Sequence, residues 1–235
     1  MGANLGFAKC DIYAAGGYTW RNNYQDGALV SCIGVLLDRM IATNIKYDVI
    51  LFQIGGNDIT TWQPEVYGSV ENALSEYNYK GYANATTTAE CVRYYLSMIR
   101  EMYPSSLILV GTPFQRMKSE GNAEDVADIL RKICAALCIQ TIDGCKELGF
   151  SQLTECTTPY YNDGNMGVAN NRTGLSRSNP IYNYIEDATG NIVDYTTATN
   201  DGILKSGYSK KYGIYTYDGK HQNAEGERKV LEYMT

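Results

Sequence analysis

Tyr47 to Ile54 reads YDVILFQI and is followed at once by Gly55-Gly56-Asn57-Asp58. An unbroken apolar run of this length, rich in β-branched and aromatic residues and stopped by paired glycines, is the pattern of a fully buried strand ending in a tight turn. A strand buried on both faces belongs to a parallel sheet covered by helices. The segments around it repeat the theme. Lys9 to Ala15 (KCDIYAA) reads as a shorter strand stopped by Gly16-Gly17, and Gly27 to Ile41 between the two reads as a helix. Thr87 to Met102 is a second helix, with threonines to cap its start and Pro104 just beyond its end. Ser106 to Val110 follows as a strand. Asn122 to Leu137 is a helix, with Asn122 as cap and acidic residues in its first turn, and Cys138 to Ile142 is a fourth strand. Strands alternating with helices of this length imply right-handed crossovers, so the fold class is α/β, a three-layer α/β/α sandwich with a mainly parallel sheet.

The alternation breaks at about residue 157. From there to about 216 the chain is rich in Tyr, Asn, Asp, Gly and Thr, with a hairpin expected at 182–197 turning at Ala188-Thr189-Gly190-Asn191. This stretch has too few aliphatic residues for a core of its own. We expect a single domain over 1–235 with an insertion at about 157–216, closed by a helix from Asn223 to Met234.

Composition narrows the function. A net charge of -6 over 235 residues argues against nucleic acid and against an anionic membrane surface as partners. No apolar run reaches the roughly 18–20 residues that cross a bilayer, and the first residues carry neither a basic region nor an apolar core, so a soluble chain without an export signal is expected; its location is open. Seven cysteines form an odd set without paired metal spacing and are read as buried thiols, so no metal is expected. Twenty-one tyrosines against four phenylalanines favour partly wet surfaces, such as those on which sugars stack, or half-exposed packing. Tyr160, Tyr161, Tyr182 and Tyr184 are candidates for such a platform.

The only histidine, His221, lies three residues after Asp218. One turn between them lets the carboxylate accept from one ring nitrogen and leaves the other free to take a proton near neutral pH. Gly17 and Asn57 each follow a predicted strand, at the carboxyl end where ligands of parallel sheets bind. A glycine N–H and an asparagine amide converging there are the donors of an oxyanion hole.

Three blocks together resemble a known family. Asp48 to Thr60 (DVILFQIGGNDIT) resembles the G-x-N-D block of the SGNH hydrolases, also called GDSL esterases and lipases; Ile12 to Trp20 (IYAAGGYTW) resembles the block whose glycine supplies a backbone donor; Asp218 to Gly226 (DGKHQNAEG) resembles the final D-G-x-H block. The resemblance implies a flavodoxin-like SGNH hydrolase fold and a serine esterase working through an acyl-enzyme. Asp218 and His221 would be acid and base, and Gly17 and Asn57 the oxyanion hole. Asp58 would shape the turn. Trp20 and Trp62, which follow the two oxyanion motifs, would line the substrate pocket or pack in the core. The substrate implied is a small acyl ester, with acylated carbohydrate favoured by the tyrosines and the polar insertion; oligomeric state is open.

One block departs from the pattern. The family's G-D-S block, which ends its first strand and carries the nucleophile, has no counterpart among the sixteen residues before Gly17, none of which is serine. Two explanations compete. Either the sequence is a truncated piece whose N-terminal strand is missing and whose serine lies upstream, or it is an inactive relative that keeps the pocket as a carbohydrate- or protein-binding module. Retention of Gly17, Asn57, Asp218 and His221 together favours the first.

Overall fold

The computed structural model of the chain describes residues 8–59, 63–75, 78–115, 122–150, 184–193, 195–200, 203–211, 222 and 224–234. The chain divides into two compact units. The larger comprises Met1–Phe114, Asn122–Leu148 and Met234–Thr235, the smaller Gln115–Gly121 and Gly149–Tyr233.

The larger unit is α/β. It runs β1 (Asn23–Gln25), β2 (Ala28–Val30), α1 (Ile33–Ala42), β3 (Val49–Gln53), α2 (Val70–Ser75), α3 (Thr88–Met102), β4 (Leu107–Gly111), α4 (Ala123–Ala136), β5 (Gln140–Ile142) and α5 (Gly144–Glu147). Strands β3, β4 and β5 pair in that order, all parallel, with Val49 opposite Leu107 and Leu109 opposite Gln140. The sheet does not close into a barrel. One pleat of it, Ile50, Phe52, Ile108 and Val110, is buried in a single cluster with Leu37 of α1, Val92 and Leu96 of α3, and Val126 and Leu130 of α4. Burying each such side chain contributes roughly 1.5–3 kcal/mol, so this face anchors the sheet.

The starts of α3 and α4 are where the sequence pattern put them. Thr87 caps α3 in a capping box: its hydroxyl accepts from the Glu90 N–H while the Glu90 carboxylate accepts from the Thr87 N–H. Asn122 caps α4 by accepting from the Glu124 N–H. At the carboxyl ends of β4 and β5, Arg131 of α4 donates to both oxygens of Asp143 at 3.1 Å and pairs with Glu124, and the Thr112 hydroxyl donates to Asp143 while accepting from the Cys145 N–H. This network ties α4 and α5 to the strand ends.

Two expectations for the larger unit are corrected. Residues 9–15 form no strand, and Ile12 is 81% exposed. A strand needs a neighbour to satisfy its backbone, and among the described residues β3 is paired only on its β4 side, with no strand between it and residues 9–15 to join. The segment is held instead by side chains, with the Tyr13 and Tyr47 hydroxyls 2.8 Å apart and Tyr47 donating to Asp11. The helix expected from Gly27 begins only at Ile33, because residues 23–30 form the β1–β2 hairpin, with Tyr24 opposite Leu29. Its turn is Asp26-Gly27, both at positive φ, 52° and 80°, the arrangement of a two-residue hairpin loop.

The smaller unit contains β6 (Tyr184–Glu186), β7 (Ile192–Val193), α6 (Tyr195–Ala198), β8 (Thr199–Asn200), β9 (Ile203–Leu204), β10 (Ser209–Lys211) and α7 (Ala224–Met234). β6 and β7 form the expected hairpin, with β10 antiparallel on the other side of β6. Asp187 fixes the turn by accepting from the Thr189 and Asn191 N–H groups, both at 2.9 Å. No described helix is long and apolar enough to cross a membrane. Cys32, Cys91, Cys134 and Cys145 are buried free thiols, whereas Cys10 and Cys138 are exposed.

Candidate active site

The carboxyl end of β3 runs into Gly55-Gly56-Asn57-Asp58, a turn closed by the Asp58 N–H donating to the Gly55 carbonyl at 3.1 Å. Successive residues of this turn face opposite ways. Asn57 is exposed, and its amide donates to the Tyr18 carbonyl at 3.0 Å. Asp58 is buried and accepts from the Trp20 N–H at 2.8 Å and the Arg21 N–H at 3.0 Å. The two side chains together fasten the β3 turn to residues 18–21.

That segment is held from its other side as well. Thr19 donates its N–H to the Ser31 carbonyl at 3.2 Å and accepts from the Ile33 N–H at 2.8 Å. The second bond satisfies one of the free N–H groups at the start of α1, whose N-cap Cys32 provides no side-chain cap. Asn22 is fixed further in: its amide donates to the Ala85 carbonyl at 2.8 Å, its carbonyl oxygen accepts from the Tyr95 hydroxyl, and its N–H donates to the Cys91 sulfur at 3.3 Å.

Gly17 precedes this locked stretch. It has a φ of +83°, which only glycine adopts without strain, and it is exposed, with open space where a Cβ would stand. Among the described residues its N–H has no hydrogen-bond partner. Gly17 and Asn57 are therefore brought to one locus, since the Asn57 amide is bonded to the residue directly after Gly17. One of the two amide hydrogens of Asn57 holds Tyr18, and the other is available to a ligand.

Burial pushes the Asp58 carboxyl up to about 6, against the Trp20 and Arg21 N–H groups and the Arg21 charge, which favour its ionised form. The clamp it makes across 38 residues was not visible in the sequence, which suggested only that Asp58 shapes its own turn. Trp20 is 0% exposed, and its ring stands 5.5 Å from that of Phe52 in the core. Asp218, His221 and Trp62 lie outside the described residues, as do Tyr160, Tyr161 and Tyr182; for Tyr184 only the backbone is described.

No family model matches the chain, and no curated protein matches it. Among solved structures, a protein from Chitinophaga pinensis described as a possible lipase is 18% identical, with a TM-score of 0.50, over 86% of this chain and 76% of that one. A protein from Bacteroides uniformis described as a GDSL-like lipase is 24% identical with a TM-score of 0.35, over 54% of this chain and 53% of that one. The first likeness shows a shared α/β fold.

Proposed function

We propose that this chain carries the oxyanion hole and the acid/base pair of a carboxylic ester hydrolase of the SGNH type, working through an acyl-enzyme. The observation that carries the reading is the Asn57 amide at the carboxyl end of β3, bonded to the carbonyl of Tyr18 directly after Gly17, whose N–H has no partner among the described residues. The description of the Chitinophaga pinensis protein, whose α/β fold is shared, as a possible lipase agrees with it.

In this reading a serine hydroxyl from outside the 235 residues attacks the ester carbonyl. Its proton passes to His221, the new oxygen–carbon bond forms, and the carbonyl electron pair moves to oxygen. That oxygen receives hydrogen bonds from the Gly17 N–H and the Asn57 amide. One such donor stabilises the transition state by on the order of 3 kcal/mol. Asp218 orients the imidazole and stabilises its charged form. His221 then returns the proton to the departing alcohol, and water releases the acid by the same steps in reverse. Asp58 touches no reacting atom; it holds residues 20 and 21, and hence the segment leaving Gly17, against the Asn57 turn.

The test is hydrolysis of p-nitrophenyl acetate by this chain and by a version extended upstream in its source DNA. Activity in the extended version that vanishes in His221→Ala supports the hydrolase. Silence in both, with retained glycan binding, contradicts it in favour of a non-catalytic module on the same scaffold.

A further inference from the structure

Immediately after the clamped Trp20 and Arg21, the larger unit holds an open cleft of about 440 Å³. Its floor is Asn22, 5% exposed and immobilised by Ala85, Tyr95 and Cys91. Its rim presents Arg21, Tyr24, Glu65 and Thr86. Among the described residues, none of these four side chains enters a hydrogen bond or an ion pair. The floor is fully engaged, and the rim is not.

We propose that this cleft is the subsite for the alcohol half of the substrate and that it takes a neutral sugar ring. The role of the sugar as the alcohol of an ester rests on the hydrolase reading above. Three properties of the cleft select a sugar. The lining contains one aliphatic side chain, Val66, and its polar surface is about as large as its apolar surface, so an acyl chain or lipid tail would bury polar groups it cannot pair while a sugar ring matches both kinds. The Arg21 charge is matched by that of Glu65, and the nearby start of α3 is capped by its own Thr87 and Glu90, so nothing there attracts a phosphate or carboxylate. What remains is a convergent set of donors and acceptors: a guanidinium that only donates, a carboxylate that only accepts and a threonine hydroxyl that does both. Sugar hydroxyls need all three kinds of partner. Tyr24, 47% exposed on the β1–β2 hairpin, adds a flat ring against which the C–H face of a sugar stacks.

The position fits the same role. Arg21 stands four positions after Gly17, a chain length that spans at most about 14 Å even when fully extended. A sugar held by Arg21 thus lies within reach of placing an acyl substituent at the Gly17 turn.

An NMR titration of the full chain with neutral di- and trisaccharides of glucose, xylose, mannose, galactose and N-acetylglucosamine, alongside hexanoate and inorganic phosphate, tests the assignment. At least one sugar is expected to shift the amides of residues 21–24 and 86–87 saturably. Its affinity should fall at least about tenfold in Tyr24→Ala and in Arg21→Ala, with the thermal midpoint unchanged in Tyr24→Ala. The proposal is overturned if no sugar moves these amides, if hexanoate or phosphate moves them instead, or if Tyr24→Ala binds as tightly as the parent. Ester cleavage is read separately in the extended chain. Cleavage of p-nitrophenyl acetate without sugar binding removes the subsite and keeps the hydrolase, whereas sugar binding without cleavage supports the sugar site and contradicts the hydrolase.

Discussion

The segment from Gly17 to Tyr24 has two kinds of residue side by side. Thr19, Trp20 and Asn22 are buried, and the Thr19 backbone, the Trp20 backbone N–H and the Asn22 side chain meet Ser31, Asp58, Ala85 and Tyr95. Gly17, Arg21 and Tyr24 alternate with them along the same backbone and keep donors or rings facing outward. The buried set makes a fixed scaffold, and the outward set is what a ligand meets. Mutations in the first should therefore cost stability, and mutations in the second should cost binding or rate alone.

The sharpest separation is expected at Asp58. Asp58→Ala strips the acceptor from two buried N–H groups, at about 1–3 kcal/mol each, partly offset at neutral pH by removing a buried charge; a net loss of about 2–4 kcal/mol is expected in urea denaturation. An unchanged midpoint would break the distinction between scaffold and surface.

The same carboxyl predicts a pH signature. Its folded value of about 6 lies above its ordinary 3.8, so the folded state binds the proton more tightly. Its contribution to stability is then complete below about pH 4 and is lost as pH rises through 6, by on the order of 2–3 kcal/mol. Subtracting the stability of Asp58→Asn from that of the parent at each pH isolates this group from His221 and the other titrating residues. The difference should fall between pH 4 and 6.5. A flat or rising difference would mean that the carboxyl is not held as described.

Asn22→Ala should follow, with a loss of about 2 kcal/mol from leaving the Tyr95 hydroxyl without its acceptor and the Ala85 carbonyl with only the weak Cys91 thiol donor. Thermal denaturation measures it. At the other extreme, Tyr24→Ala removes an outward ring and should move stability by no more than about 0.5 kcal/mol. A larger loss would place Tyr24 in the scaffold and undercut the sugar subsite.

The strand–turn unit of residues 47–58 was legible because an apolar run followed by paired glycines has few other conformations, but its expected burial on both faces is corrected: Ile50 and Phe52 are buried while Leu51 and Gln53 between and beyond them are exposed. The caps of α3 and α4 were legible because Thr87, Glu90 and Asn122 act within one turn of themselves. Residues 9–15 misled because an apolar run states only a willingness to be buried, whereas a strand also needs a neighbouring backbone. The β1–β2 hairpin was missed because Ala28–Val30 merges with the apolar pattern of α1, although Asp26-Gly27 was the signal. At the site, the motifs indicated Gly17 and Asn57. The link from Asp58 to residues 20 and 21 and the cleft beside Tyr24 depend on contacts between residues far apart in the chain, and no local pattern encodes them.

Asn57 stands at the junction of the two sets, with one amide hydrogen committed to Tyr18 and the other, in the proposed oxyanion hole, left for the substrate, and it gives the most direct test. In the serine-bearing extended chain, Asn57→Ala is expected to lower kcat for p-nitrophenyl acetate by about 10²–10³, while the loss of one exposed hydrogen bond changes stability by no more than about 1 kcal/mol. A kcat that stays at the parent level, or that falls only as far as unfolding accounts for, would contradict the assignment of this rim as an oxyanion hole.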